Sequence, residues 1–371
     1  MIQARIPLRD PDQPQAPARC AAAVPVLIIT VVAVLDRLTP VGMSWLPLLA
    51  VGPALAAATC RPCGVLRIGF IAVAVGAVLG VLGGAPVHEQ AIVLSALAAV
   101  TLASCLASLL RQRRERVLAA VRSVAEAAQN ALLRPVPARV GQFQVAVRYS
   151  AAAAEARVGG DLYALVPTPY GIRLIVGDVR GKGLPAVSTA ALVLGVFREA
   201  AYDEPDLLDV VGRIERSLSR NLAADDFVTA VVAGYPRSGR MELVNCGHAP
   251  PLLVSPSGVI PVEPTRPAPP LGLASLGGET PTLQVVPFAD GDQLLLYTDG
   301  VIEARDQDRE YFPLMERVPR HICDEPSRTL AALHDELLAH VGGRLHDDAA
   351  LLLLRKPVSS GVPAAAEVRM S

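Results

Sequence analysis

Four long apolar stretches follow one another within the first 110 residues, and they constrain the fold more than any other feature of the sequence. They lie at about 20–35, 41–60, 64–86 and 91–110. A bilayer core about 30 Å thick needs about 20 apolar residues of helix, and three of the four stretches reach that length. The first is short and follows three arginines, as a signal-peptide core would, but the three further stretches favour a retained helix. We therefore predict an all-α bundle of about four transmembrane helices over residues 20–110, after an N-terminal tail at 1–19.

Most of the basic residues near these stretches fall on one side of the predicted bundle. They precede the first stretch, border the loop between the second and third at Arg61 and Arg67, and follow the fourth from Arg111 onward. With four spans, the positive-inside rule predicts a multi-pass cell-membrane protein with both termini in the cytoplasm. Stretches two to four hold no ionisable residue deep inside, which disfavours a transporter.

Residues 111–134 are predicted to form a helical connector that continues out of the fourth stretch. Spacings of 4, 3, 4 and 3 residues, typical of a heptad seam, separate Val117, Val121, Val124, Ala128 and Ala131. Fewer than three heptads is weak support for a coiled coil. A helix that joins a membrane region to a second domain is nevertheless suited to signal transfer and to forming a homodimer. Two prolines, at 135 and 137, end it.

From residue 143 onward the pattern changes to short apolar runs separated by Gly, Pro and Asp. Strands are predicted at 143–149, 161–166, 172–179, 227–235, 240–246, 251–255, 293–299 and 350–355. Helices are predicted at about 184–202, 206–223 and 326–341. Strand-rich runs separated by paired helices indicate an α+β layered domain with antiparallel sheets, here assigned to residues 135–356. The small-residue tail at 357–371 is predicted to be disordered.

Aspartates recur where the predicted strands begin or end, each beside a glycine or a second carboxylate. They are Asp161, Asp178, Asp299 and the adjacent pair Asp347 and Asp348. Hard divalent cations prefer oxygen ligands, and carboxylates that converge from several strand ends can form such a site. A single Asp-Gly pair is usually a turn. Four such elements together indicate a metal site, with glycines that let the backbone turn sharply.

The motifs around these aspartates resemble those of the PPM (protein phosphatase 2C-like) family, in its bacterial SpoIIE/RsbU branch. The resemblance rests on the segments 158–163 (VGGDLY), 177–183 (GDVRGKG), 227–230, 247–251, 270–272, 297–304 and 347–348. Their order and spacing agree over residues 135–356, and the resemblance does not include the first 110 residues. It implies an αββα sandwich with two divalent metal ions, Mn²⁺ or Mg²⁺, at one end of the paired sheets.

By that resemblance, several residues correspond to the metal ligands and their supports. The ligands would be Asp161, Asp178, Asp299, Asp347 and the backbone carbonyl of Val179. Asp348, Gly160 and Gly300 would support these ligands without binding the metal themselves. Asp178 is the best candidate to bridge both ions and the activated water. Lys182 is a candidate for steering the substrate phosphate, with a solvated loop lysine as the alternative reading. Ala164 stands where many relatives carry an aspartate, and His248 is better explained as a turn-stabilising residue than as a catalytic one.

The same resemblance implies hydrolysis of phosphoserine or phosphothreonine. Two cations about 3.5–4 Å apart lower the pKa of a bound water and stabilise the transition state of in-line displacement. No cysteine nucleophile is then needed, so Cys246 and Cys323 are predicted to be core residues. Typical substrates of the branch are phosphorylated anti-sigma-factor antagonists, which are small STAS-domain proteins.

Other classes of protein fit this chain less well. The formal net charge of −1 gives no reason to expect a nucleic-acid partner. A sensor histidine kinase would need a histidine after the last span, and residues 111–134 contain none. The main alternative is a catalytically weak PPM-like domain that serves as a membrane signalling scaffold, although all four ligand aspartates are present.

Overall fold

The computed structural model describes residues 18–39, 45–151, 159–223, 226–236, 239–274, 277 and 279–358. Most of the two predicted tails, and Val158 of the first aspartate motif, lie outside these residues. The chain divides into two compact units, Met1–Ala120 and Val121–Ser371. The boundary between the units falls inside the segment that the sequence predicts to be a connector.

The first unit is built from helices. They are α1 (Ala18–Leu38), a 3-10 turn (Leu46–Ala50), α2 (Val51–Thr59), α3 (Pro62–Leu82) and α4 (Val87–Leu132), the last of which continues into the second unit. A small apolar core includes Leu49, Val65 and Leu97. Helices α3 and α4 approach closely at Gly69, where a Cβ atom would overlap the side chain of Thr101.

Three helical segments among the described residues are long and apolar enough to cross a membrane. They are Pro62–Leu82, Val87–Gln129 and Leu184–Asp203. The first two coincide with the third and fourth apolar stretches, and the last belongs to the second unit, where it packs on a sheet.

Of the second apolar stretch, predicted as about 20 residues of helix, the structure describes residues 45–60. They contain a five-residue 3-10 turn and the nine-residue α2, which together rise about 24 Å, less than a bilayer core. The backbone N–H of Trp45, just before the 3-10 turn, donates to the Asp36 carboxylate at 3.1 Å.

The second unit consists of short strands with helices between them. The strands are β1 (Arg139–Val140), β2 (Phe143–Ser150), β3 (Leu162–Thr168), β4 (Gly171–Val179), β5 (Val228–Tyr235), β6 (Arg240–Cys246), β7 (Leu252–Ser255), β8 (Gly258–Pro261), β9 (Gln284–Pro287), β10 (Gln293–Tyr297) and β11 (Ala349–Arg355). The helices are α5 (Leu184–Asp203), α6 (Leu207–Asn221), α7 (Asp299–Ile302), α8 (Leu314–His321) and α9 (Pro326–His340).

These strands form two antiparallel sheets with helices on their outer faces. One sheet has the order β1-β2-β11-β10-β7-β8 and the other β3-β4-β5-β6-β9. Helix α5 packs on β3 and β4, α6 on β5 and β6, and α9 on β2 and β11. A single apolar core includes residues of both sheets, such as Ile175 and Leu352. The arrangement confirms the predicted α+β class and its αββα layers.

The strand pattern explains why the core strands read as continuous apolar runs. Strand β4 is buried along almost its whole length, because one face meets the opposite sheet and the other meets α5. Short elements at the edges, namely β1, β8, β9, α7 and α8, were not predicted, since they lack enough residues to show a period. Cys246 is buried as predicted, whereas the prediction for Cys323 is wrong. Cys323 is exposed in the turn before α9, where its N–H bonds the Thr329 hydroxyl.

Candidate metal centre

Three of the predicted aspartates meet at one end of the two sheets. Asp161 directly precedes β3, Asp178 is the penultimate residue of β4, and Asp299 begins α7 just after β10. One carboxylate oxygen from each lies within 4.8 Å of the others. The antiparallel pairing of β3 and β4, with Leu162 opposite Gly177, brings the first two together. The third comes from the other sheet, so the site depends on how the sheets stack.

The glycines of the aspartate motifs leave space for this convergence. A Cβ atom at Gly160 would overlap the carbonyl oxygen of Val179, and one at Gly300 would overlap the carbonyl oxygen of Asp348. The Val179 N–H also donates to the Gly160 carbonyl at 3.2 Å. The predicted supporting glycines therefore lie at two points where neighbouring backbone segments approach closely.

The carboxylates repel one another in a largely buried setting. Asp161 is 2% exposed, and burial, together with the negative charge of Asp178, raises its pKa well above the usual range. Burial, together with the charges of Asp299 and Asp347, raises the pKa of Asp178 to about 7. Burial and Asp347 likewise raise the pKa of Asp299. Carboxylates held this close without a matching cation are unfavourable, and a divalent cation such as Mn²⁺ or Mg²⁺ suits this donor set.

Asp347, the fourth predicted aspartate ligand, forms an ion pair with Lys182, the residue predicted to steer the substrate phosphate. Its Oδ1 lies 2.8 Å from the ammonium of Lys182, and both side chains are partly exposed, at 48% and 38%. Its negative charge contributes to the raised pKa values of Asp178 and Asp299. The structure thus brings Lys182 to the acidic site through a direct ion pair with one of the predicted ligands.

Asp348 and Thr298 hold the backbone around the cluster. The Asp348 carboxylate accepts from the hydroxyl of Tyr149 and, at 3.1 Å, from the N–H of Gly159. The Thr298 hydroxyl donates to the Asp161 carboxylate at 2.8 Å and accepts from the N–H of residue 350 at 2.9 Å. Neither Thr298 nor Tyr149 was predicted as a site residue from the sequence. The first adjoins Asp299 within its motif, whereas nothing in the local pattern marks the second.

His248 joins the two sheets near this end. Its Nε2 lies 3.0 Å from the Tyr297 carbonyl oxygen and its Nδ1 lies 2.9 Å from the Thr229 hydroxyl. Burial lowers its pKa to about 4, so the ring is neutral near pH 7. A neutral ring donates from Nε2 to the carbonyl and accepts at Nδ1 from the hydroxyl. These contacts agree with a structural role in the turn rather than a catalytic one.

A cleft of about 290 Å³ opens beside the acidic cluster. Its lining consists of Asp299, Gly300, Glu303, Ala304, Arg305, His346 and Asp347. The guanidinium of Arg305 stacks on the ring of Tyr311, with 4.4 Å between its central carbon and the ring centroid. Arg305 and His346 bring nitrogen donors to the same cleft as two of the candidate metal ligands. Neither residue was predicted as a site residue from the sequence.

Comparison with known proteins gives a consistent family assignment. The sequence profile described as Stage II sporulation protein E (SpoIIE) matches residues 168–357, which are 190 of the 371 residues. The phosphoserine phosphatase RsbU of Bacillus subtilis (strain 168) is 26% identical over 209 residues, which cover 54% of this chain and 61% of that protein. The chain thus spans less than two thirds of that curated relative.

Solved structures show the same fold. The RsbU and RsbW domains of Rv1364c from Mycobacterium tuberculosis align with a TM-score of 0.51 at 26% identity, over 58% of this chain and 61% of that chain. The SiaA-PP2C domain of Pseudomonas aeruginosa aligns with a TM-score of 0.54 at 17% identity, over 66% of this chain and 98% of that chain. With the profile covering half of its length and a PP2C fold behind the acidic cluster, the chain belongs to the SpoIIE family of PP2C-type phosphatase domains.

Proposed function

We propose that this chain is a membrane-anchored, metal-dependent phosphatase for phosphoserine and phosphothreonine in proteins. The observation that carries the proposal is the convergence of Asp161, Asp178 and Asp299 to within 4.8 Å from two different sheets. Family membership and the likeness to RsbU, a phosphoserine phosphatase, support the same reaction.

The proposed metal site has five protein ligands. Asp161, Asp178, Asp299, Asp347 and the Val179 carbonyl would hold two Mn²⁺ or Mg²⁺ ions, with Asp178 between them. Such ions supply an activated water and offset charge in the transition state of in-line displacement. Support for the central place of Asp178 comes from its interactions with four other aspartates, at positions 161, 299, 347 and 348.

The chain's own cationic and donor groups would orient the phosphoprotein. Lys182 lies at the site through its ion pair with Asp347, and Arg305 and His346 line the adjoining cleft. A phosphate dianion entering the cleft would meet Arg305 and His346, with Lys182 beside it at Asp347. Arginine suits this role because its planar fork can donate two hydrogen bonds to one phosphate.

The substrate that we propose is a phosphorylated STAS-domain antagonist of an anti-sigma factor, so that dephosphorylation controls a sigma factor. The likeness to RsbU supports a protein substrate of this kind. The substrate class is testable apart from the reaction itself, since a general phosphopeptide and a folded phospho-STAS protein report different properties of the site.

We also propose a membrane region at 20–110, a connector at 111–134, a catalytic domain at 135–356, and both termini in the cytoplasm. Contacts within the first unit support this topology. The Cys60 carbonyl accepts from the Ser108 hydroxyl at 2.9 Å and from the Arg111 guanidinium at 3.0 Å. The basic loop before α3 therefore lies at the same end of the bundle as the basic end of the fourth stretch.

Dimerisation through the connector belongs to the same proposal. Val117, Val121 and Val124 of the heptad seam are 63%, 47% and 60% exposed in the single chain. Apolar side chains in one stripe of a helix are available to a second copy. Disulfide cross-linking of Val121→Cys in membranes, with Ser123→Cys on the same exposed turn as the control, tests this contact.

The first experiment measures hydrolysis of p-nitrophenyl phosphate, a phosphoserine peptide, a phosphotyrosine peptide and a phosphorylated STAS protein. The enzyme is the full-length chain in nanodiscs and the fragment 111–371, each with Mn²⁺ or EDTA. We expect Mn²⁺-dependent turnover of the phosphoserine substrates, lost in Asp178→Asn and retained in Asp209→Asn, which changes an exposed aspartate on α6. Absence of turnover in both forms of the protein would favour the scaffold alternative instead.

Topology is tested by labelling cysteines with a membrane-impermeant maleimide. In a variant that keeps only the exposed Cys63, labelling should require permeabilised cells. In the matched variant that carries only Gly84→Cys, in the loop between α3 and α4, intact cells should be labelled. The reverse pattern would place the catalytic domain outside the cytoplasm and contradict the proposed localisation.

A further inference from the structure

The carboxylate of Asp348 is held by a side chain outside every aspartate motif. The Tyr149 hydroxyl donates to its Oδ2, and the same oxygen accepts the Gly159 N–H. Strand register explains this contact, since Tyr149 of β2 pairs with residue 350 of β11, two residues after Asp348. Burial is the main cause of the raised pKa of Tyr149, so its hydroxyl stays protonated and acts as a donor.

A second side chain, from the end of α4, reaches the same group. Gln129 is 5% exposed, and its amide donates to the Gly159 carbonyl at 3.4 Å. A buried amide is unfavourable unless it is hydrogen-bonded, so this contact stabilises Gln129 at this position. Ala125, one turn earlier on α4, packs against Val187 of α5, which keeps this part of the helix against the catalytic domain.

Together these contacts determine the orientation of the peptide groups before Asp161. The N–H of Gly159 is held by Asp348 and its carbonyl by Gln129. Gly160 follows, in contact with the Val179 carbonyl, and Asp161 comes next. A change in α4 that displaced Gln129 would release one side of this segment, which carries one candidate ligand and touches another.

We propose that Tyr149 and Gln129 are positioning residues of the acidic site, through which the end of α4 sets its affinity for divalent cations. This inference rests on the proposed function in one respect, that the site binds a metal ion. Partners that orient metal ligands from behind commonly change metal affinity by about 10–100-fold when they are removed. Neither residue would touch the substrate.

The test is direct Mn²⁺ binding to the full-length protein in nanodiscs, measured by electron paramagnetic resonance. We expect Tyr149→Phe to raise the Mn²⁺ dissociation constant about tenfold. At saturating Mn²⁺ its kcat should return to near the wild-type value, with an unchanged KM for the phosphoprotein. The matched control is Tyr235→Phe, which removes a buried hydroxyl at the other end of β5 from the site and should leave Mn²⁺ binding unchanged.

Gln129→Leu provides a second variant on a different element, should Tyr149→Phe fold poorly. It keeps the size and helix propensity of the side chain and removes its hydrogen bonds. We expect a smaller rise in the Mn²⁺ dissociation constant, and a double variant whose effect is less than the sum of the two in free energy, because both residues hold the same segment at Gly159, one at its carbonyl and the other through Asp348 at its N–H. Additive effects would overturn the inference that the two residues act on one segment.

Mn²⁺ affinity unchanged in folded Tyr149→Phe, or weakened equally in Tyr235→Phe, would overturn the inference. Failure of the proposed function gives a different result. If the wild-type protein binds Mn²⁺ but hydrolyses no phosphoprotein, the phosphatase is wrong, while the positioning role is still decided by the Mn²⁺ titrations. If the wild-type protein binds no Mn²⁺, both proposals are wrong.

Discussion

Helices α3 and α5 are both long and apolar enough to cross a membrane, yet they differ in which residues they leave exposed. In α3, Phe70, Val78 and Val81 are 75%, 57% and 70% exposed. In the middle of α5, Val193, Leu194 and Phe197 are fully buried against the sheet. Many exposed positions of α5 are instead small or polar, among them Ser188, Gly195 and Glu199.

The comparison shows that the position of apolar residues around a helix matters more than their number. A helix that is apolar on all sides needs an apolar environment on all sides, which lipid would provide for α3 in the proposed membrane region. A helix with one apolar face needs only a neighbouring sheet, as α5 has. The same distinction separates the two units of the chain. Each prediction below changes a property of one unit and should leave the other unit unchanged.

The largest expected effect is functional and confined to the second unit. Asp178→Asn should lower kcat by about 10⁴-fold, equivalent to about 5.5 kcal/mol, because it removes a charge that would bind both ions. The fraction of protein in carbonate-washed membranes should stay the same. Retained turnover in this variant, measured with p-nitrophenyl phosphate and Mn²⁺, would contradict the assigned site.

The next effect concerns packing. Phe197→Ala in α5 should destabilise the second unit by about 3–5 kcal/mol, because the ring is fully buried. Phe70→Ala in α3 should change stability by less than about 0.5 kcal/mol, since the ring is 75% exposed within the chain. Calorimetry of the full-length protein in detergent micelles measures both. Equal losses would mean that Phe70 packs against a further partner, such as a second copy.

A third prediction places a charge on each helix. Phe70→Lys lies near the middle of α3 and should oppose membrane insertion by about 2.5–3.5 kcal/mol. Tyr202→Lys replaces an aromatic residue that is 58% exposed in the last turn of α5, and it should be tolerated within about 0.5 kcal/mol. Membrane fractionation with a fluorescent C-terminal tag measures the inserted fraction. Equal tolerance at both positions would remove the case for α3 as a membrane span.

The smallest expected effect is on the pH dependence of stability, and it comes from the buried carboxylate of Asp178 in the second unit. In the folded metal-free protein the pKa of Asp178 is about 7, against an ordinary value of 3.8, so the folded state binds more protons than the unfolded state between these values. Stability should therefore fall as the pH rises from about 4 to about 7. At pH 7, Asp178→Asn should stabilise the metal-free fragment 111–371 by about 1–2 kcal/mol.

Urea unfolding in EDTA at a series of pH values measures this effect. Adding Mn²⁺ should reduce the pH dependence of the wild-type fragment, while Asp209→Asn should leave it unchanged. A metal-free protein whose stability rises over the same pH range would show that the acidic cluster is already compensated by other groups.

Much of the catalytic domain was predictable because its signals are local. The strands at 143–150, 171–179 and 349–355 are apolar runs bounded by turn residues, and each was predicted to within about two residues. The aspartate motifs were recognisable for the same reason, since three of them combine a carboxylate with a glycine that permits a close backbone approach and the fourth combines two carboxylates. The pairing of Lys182 with Asp347 was not visible, because 165 residues separate them in sequence.

Other features depended on distances that no sequence window includes. Tyr149 and Gln129 carry no motif; the pairing of β2 with β11 brings Tyr149 to Asp348, and the end of α4 brings Gln129 to Gly159. Arg305 was not predicted as a site residue, and the structure places it in the cleft with Asp299. The hydrogen bond from the Trp45 N–H to a carboxylate nine residues earlier was likewise not predictable from a local pattern.

The sequence by itself determined that this chain has an apolar helical region and a layered α+β domain with a set of aspartates at strand ends, because hydrophobic period and turn chemistry act between near neighbours. Tertiary structure alone decided which carboxylates meet, which apolar helix is covered by a sheet, and which uncharged side chains hold the acidic site in place. The physical reason is that sheet register and sheet stacking join residues more than 100 positions apart, and these contacts are chosen by the packing of the whole core rather than by any local pattern.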